Sequence, residues 1–147
     1  MDKTQTIESI RNARRAHEAQ MSRIESAIQG CKVDNPTTVS KTECIFGLWL
    51  YDEKNHLRDI VGSFFYDNIE VLHSQWHHEY FRLFEILFKE EKKGFLSNMI
   101  GSNKLSEMQR DKAKLYYSEL EVTTQKLLKV LGSAQRRICA LQESKFY

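Results

Sequence analysis

Proline is almost missing from this sequence. Pro36 is the only one in 147 residues, and there are just six glycines. Long stretches therefore lack the usual breakers of regular structure, which points to helices. Strong charge of one sign is missing as well. The net charge of +2 makes no electrostatic case for a nucleic-acid partner and is too small for a disordered chain. No window of about 18 consecutive apolar residues exists to span a membrane. The opening "MDKTQTIESIRNARR" lacks the apolar core of a signal peptide, so the expected location is the cytoplasm. Cysteine is sparse and odd in number: Cys31, Cys44 and Cys139. An odd set in a cytoplasmic chain argues against a disulfide framework and leaves metal binding or redox chemistry open. There is no glycine-rich phosphate loop, no G-x-S-x-G, no internal repeat and no low-complexity segment.

What is present is an ordinary globular balance, 41% hydrophobic and 29% charged, enough for one domain over residues 1–147 with a real core. Ile7, Ile10, Arg14, His17, Met21, Ile24 and Ile28 alternate steps of three and four, which predicts a first helix over 2–29 with Gly30 as its stop. "CKVDNPTTV" reads as a loop. Ser40-Lys-Thr-Glu43 fits a capping box, which predicts a second helix with Cys44 at the end of its first turn. That helix is expected to end near residues 52–56, with "LRDIVGSFF" as a further short segment. A third helix is expected over about 64–92, with Ile69, Leu72, Trp76, Leu83 and Leu87 beside His73, His77, Tyr80 and Phe84 on a broad inward face. "KEEKKG" then ends it and "FLSNMIGSN" connects onward. From Lys104 to about Ser144 only Gly132 interrupts a seam of Ala113, Tyr117, Leu120, Leu127, Leu131, Ala134, Ile138 and Leu141, with Thr124 as a polar gap. Such a helix is about 60 Å long at about 1.5 Å per residue, long enough for its end to pack on a second chain. The predicted architecture is all-α, an antiparallel four-helix bundle with a long C-terminal helix.

The chemistry-bearing residues fall on the predicted inward faces. His73 and His77 are one turn apart, so both imidazoles point to one side; His78 lies about 140° from His73, given about 3.6 residues per turn, and is expected to be exposed. His17 sits in the seam of the first helix, and Cys44 begins the second beside Ile45 and Phe46. Three histidines and one cysteine make a complete structural zinc shell. The residues alone leave two alternatives: that shell, or hydrogen-bonded histidines and a buried thiol in a packed core. A di-iron carboxylate site is disfavoured. It needs E-x-x-H on two helices and a glutamate from each of two others. Glu70–His73 fits one such motif, Glu53–His56 falls in an expected loop, and the seams of the first and last helices carry no glutamate.

"CIFGLWLY" resembles the Cys-x-Phe/Leu-Gly-x-Trp signature of the chemoreceptor zinc-binding domain. The parts come in order: His17 in the first helix, Cys44-Ile-Phe-Gly47-Leu-Trp49 opening the second, His73-Ser-Gln-Trp-His77 in the third, then a long helix without ligands. The resemblance extends over essentially the whole chain. It implies a helical bundle, commonly a homodimer, with one zinc per chain held by His17, Cys44, His73 and His77. It implies regulation of a cytoplasmic chemoreceptor or diguanylate cyclase, or pairing with a chemotaxis adaptor. The expected signal is zinc availability or an oxidant such as hypochlorous acid, acting at the thiolate of Cys44. Gly47 is expected to let another helix, or the metal's other ligands, approach closely, and Trp49 and Trp76 to wall the site. Cys31 and Cys139 are expected to be non-ligands. Four protein ligands would leave no open position for substrate, so no enzyme is expected. A helical adaptor with a purely structural zinc is the alternative. These residues include no receptor signalling helix or cyclase catalytic domain, so the expectation is a free-standing member or a piece of a longer protein.

Overall fold

A computed structural model describes residues 1–89 and 105–146, and among these it has helices and no strand. The first helix, α1, runs Lys3–Ile28. Asp2 and Gln5 form a reciprocal capping box at its start. At its end Gly30 takes φ +94°, which lets the amides of Gly30 and Cys31 turn back onto the carbonyls of Ala27 and Ser26. Its buried face carries Thr6, Ile10, Ala13, His17, Met21, Ile24 and Ile28. In the first half of the helix this departs by one residue from the predicted seam. Thr6 and Ala13 are buried, while Ile7 and Arg14 lie partly exposed beside them. The hydroxyl of Thr6 is satisfied by the Asp2 carbonyl at 2.8 Å, so its burial leaves no polar group unpaired.

The capping box expected at Ser40–Glu43 is a hydrogen-bonded turn, and the second helix starts later. This helix, α2, is Ile45–Leu50, with Cys44 as its N-cap instead of a residue in its first turn. A 3₁₀ turn, Glu53–Asn55, leads into α3, Leu57–Val61. Gly62, at φ +88°, separates α3 from α4, Ser63–Leu87. The last helix, α5, is Glu107–Ala140, capped by the box of Ser106 and Gln109. Its 34 residues span about 51 Å at about 1.5 Å each, shorter than the sequence suggests. The predicted end of the third helix at "KEEKKG" and the connector "FLSNMIGSN" lie outside the described residues, apart from Lys89.

The long helices α1, α4 and α5 hold the core between them, and α5 packs against both others. Leu120, Leu127, Leu131 and Ile138 of α5 are fully buried, each contributing about 1.5–3 kcal/mol relative to exposure. The polar gap at Thr124 has a partner there: Trp76 of α4 donates its indole N–H to the Thr124 hydroxyl at 2.8 Å. Further pairs run Gln75 to Thr123 and Arg82 to Glu119 between α4 and α5, and Arg14 to Gln135 between α1 and α5. Lys3 reaches the last carbonyls of α5, at 2.9 Å from Cys139 and 2.7 Å from Leu141. No described helix is long and apolar enough to cross a membrane.

Candidate metal centre

The loop between α1 and α2 is more than a connector. Its Thr37 carbonyl accepts from the Tyr80 hydroxyl at 2.8 Å, and its Val39 carbonyl accepts from Nδ1 of His77 at 3.0 Å. The loop is thereby fastened to α4 and delivers Cys44 to the histidine face of that helix. One ligand atom each of Cys44, His73 and His77 lies within 4.8 Å of the others. The sulfur of Cys44 is 3.4 Å from Nε2 of His73. A tetrahedral zinc shell places sulfur and nitrogen about 3.5 Å apart, given Zn–S of about 2.3 Å and Zn–N of about 2.0–2.1 Å.

His17 is brought to the same place but stays outside that tight group. It is 5% exposed, and its ring centroid lies 5.8 Å from that of His73 and 5.0 Å from the Trp76 ring. Its Nδ1 donates to the Ala13 carbonyl at 2.7 Å, which leaves Nε2 as the free lone pair. His17, Cys44 and His77 together line a cavity of about 250 Å³ that also borders Trp76, Thr38 and Glu43.

The donors fit a metal by a test internal to the fold. Nε2 of His77 is buried and has no hydrogen-bond partner. Such a group is costly to bury, by about 1–3 kcal/mol, unless something binds it. The histidines are also in the protonation state that a metal needs. Burial, with the neighbouring His77, His17 and Lys41 charges adding to it, depresses His73 to about 2. Burial depresses His77 to about 4 and pulls His17 below its ordinary value. All three imidazoles are therefore neutral at pH 7. Cys44 goes the other way: burial pushes its thiol up, opposed by backbone amides led by that of Gly47. The Gly47 amide donates to the sulfur at 3.2 Å.

The close approach at Gly47 comes from the chain's own backbone just before α2, not from another helix or the other ligands as expected. A Cβ at Gly47 would overlap the carbonyl oxygen of Lys41, in the turn just before α2. The two tryptophans differ. Trp76 lies against the site, 5.1 Å from the His77 ring, and lines the cavity. Trp49 is one step removed: it packs on Phe46 at 5.7 Å and points its indole N–H at Met1. Phe46 is the nearer wall, edge-on to His73 at 4.8 Å and to His17 at 5.6 Å. Its place in the Cys-x-Phe-Gly spacing was the available signal for that role. His78, Cys31 and Cys139 are exposed, away from the cluster.

Spacing did not reveal Tyr51 or Lys41 as part of this site, and it offered Glu70 only for the disfavoured di-iron motif. Tyr51 places its hydroxyl 3.3 Å from Nδ1 of His73 and donates to Glu70. Burial first, then the Glu70 carboxylate, raises the Tyr51 pKa, so the phenol keeps its proton. Glu70 pairs with Lys41 at 2.7 Å and accepts from Ser74 at 3.0 Å. Burial works against its charge, but the hydrogen bonds from Lys41, Tyr51 and Ser74 hold the carboxyl below its usual value. The glutamate of the apparent E-x-x-H motif is thus engaged behind His73.

No curated protein and no solved structure gives a significant match to the chain. A family model does match, from the first candidate ligand to just beyond the last and without α5. Residues 17–82 match the family model of the chemoreceptor zinc-binding domain, a narrower span than the whole chain over which the resemblance was expected.

Proposed function

We propose that the chain is a sensory or regulatory module in which His17, Cys44, His73 and His77 hold one zinc ion. The observation that carries this is the convergence of Cys44, His73 and His77, with Nε2 of His77 buried and otherwise unpartnered. His17, with its free Nε2 beside the same cavity, is the fourth ligand in this proposal. Zinc, when bound, holds Cys44 as a thiolate. Cys44 is the ligand at the mouth of a six-residue helix, whereas His73 and His77 belong to the 25-residue α4. Loss of zinc, or oxidation of the Cys44 sulfur, releases α2 while α1 and α4 stay packed. With hypochlorous acid the sulfur gives up two electrons and becomes a sulfenic acid, and the chlorine leaves as chloride. The output is coupling to chemotaxis or cyclic-di-GMP signalling, through a chemoreceptor, a diguanylate cyclase or a chemotaxis adaptor. The module is non-enzymatic and cytoplasmic, comprises residues 1–147 as one domain and acts as a homodimer. Its long helices form an antiparallel bundle, with the short α2 and α3 where the expected four-helix bundle has its second long helix.

A structural zinc in a helical adaptor is the second possibility, supported by how firmly backbone groups of Lys41 and Gly47 hold the thiol. Metal analysis of protein purified without added zinc tests the site. One zinc per chain is expected, lost in Cys44→Ala and His77→Ala; a metal-free wild type would sink the proposal. A stoichiometric oxidant then separates the two functions. A sensor changes its zinc content or helical packing in wild type but not in Cys44→Ser, whereas a scaffold does neither.

A further inference from the structure

His73 differs from the other two histidines in what holds its second nitrogen. His17 and His77 rest Nδ1 on backbone carbonyls, of Ala13 at 2.7 Å and Val39 at 3.0 Å. A carbonyl can only accept, so Nδ1 carries the proton and Nε2 offers the lone pair. Nδ1 of His73 instead faces the Tyr51 hydroxyl at 3.3 Å. A hydroxyl donates and accepts, so by itself it leaves the tautomer open.

The choice is made one residue further out. Tyr51 donates its proton to Glu70, a carboxylate that can only accept. With that proton committed, Tyr51 has a lone pair left for His73, so Nδ1 carries the imidazole proton and Nε2 presents its lone pair to the Cys44 thiol 3.4 Å away. Glu70 is held in turn by Lys41 at 2.7 Å and Ser74 at 3.0 Å. The Lys41 backbone also reaches the site: its carbonyl oxygen lies 3.5 Å from the Cys44 sulfur and fills the space beside Gly47. One residue thus braces His73 through its side chain and Cys44 through its backbone.

We propose that Tyr51, Glu70 and Lys41 form a positioning relay that sets the His73 tautomer, turns its Nε2 toward Cys44 and thereby sets zinc affinity. The affinity claim rests on the zinc site proposed above; the tautomer claim stands without it. Two measurements test the relay in Tyr51→Phe and Glu70→Ala. The first is the ¹⁵N spectrum of the histidine side chains in metal-free protein. Wild type should show His73 protonated at Nδ1. Glu70→Ala frees the Tyr51 proton to face His73 and should move the imidazole proton to Nε2, and Tyr51→Phe should give a mixture, with His17 and His77 unmoved. The second is zinc affinity by chelator competition. Each variant should bind about 10–100-fold more weakly, as for other partners behind a metal ligand. The double variant should be no worse than the weaker single, because the groups act as one unit. His73 protonated at Nε2 in wild type, or an unchanged tautomer and affinity in both variants, would overturn the relay. If Tyr51→Phe loses its helical signal, Glu70→Ala decides by the same readouts. If wild type binds no zinc, the site proposal falls, and the tautomers still decide the relay.

Discussion

Cys44 and Gly47 show how much of the site depends on single atoms. The thiol is protonated at neutral pH while the imidazoles are already neutral. Zinc binding at pH 7 should therefore release about one proton per site, from Cys44, because a thiolate is the binding form. Calorimetry in buffers of different ionisation enthalpy counts that proton; in Cys44→Ser the release should fall to near zero. A count of two or three would mean that the histidines are charged in the free protein. At Gly47 the obstacle to a side chain is a backbone carbonyl, which cannot swing aside as a flexible side chain would. Gly47→Ala should lose about 1–3 kcal/mol in denaturant unfolding, the usual cost of forced overpacking, and should weaken zinc binding by displacing Lys41 and Cys44 together. A variant with wild-type stability would refute the tight approach.

At the scale of elements, α4 carries the burden of the site. It buries His73 and His77 on one face, and that burial has a pH signature. Their folded pKa values, about 2 and about 4, lie below the ordinary histidine value of 6.5. Below pH 6.5 the unfolded chain takes up protons that the folded chain refuses. The metal-free protein should thus have its full histidine contribution above about pH 6.5 and lose it as pH falls toward 4 for His77, and further down for His73. Denaturant midpoints at pH 7 and pH 5 measure this, and His77→Gln should flatten the slope. A wild-type midpoint that rises on acidification would show the burial assignment to be wrong. The contact of α4 with α5 also holds a buried polar pair. Thr124→Val removes the acceptor of the buried Trp76 N–H and should cost about 1–3 kcal/mol, read from the same unfolding curves. A cost near zero would mean that Trp76 finds another acceptor.

The whole molecule leaves an apolar line on α5. Met108, Leu115 and Val122, each seven residues from the next, are 80%, 58% and 55% exposed. Seven-residue spacing keeps them on one side of the helix, in line with the proposed homodimer. If that line is the contact, Leu115→Glu with Val122→Glu should halve the mass in light scattering and leave the helical signal unchanged. An unchanged dimeric mass would move the interface elsewhere on the surface.

Periodicity by itself indicated the three long helices and most of their inward faces, because apolar spacing of three and four residues is a property of the chain. It also placed His17, His73 and His77 on those faces, and the Cys-x-Phe-Gly-x-Trp spacing supplied the resemblance on which the zinc expectation rested. Local rules failed where two local solutions compete. Ser40-Lys-Thr-Glu43 satisfies a capping pattern, yet the close packing of the Lys41 carbonyl on Gly47 accompanies a turn there, with Cys44 as the cap. The one-residue shift to Thr6 and Ala13 has the same origin, since a helix rotates to suit what packs against it. Only the tertiary structure could bring Tyr51 and Lys41 to Glu70 and His73. Hydrogen bonds and desolvation act through a few ångströms of space, and those residues are separated in sequence by 19 to 32 positions.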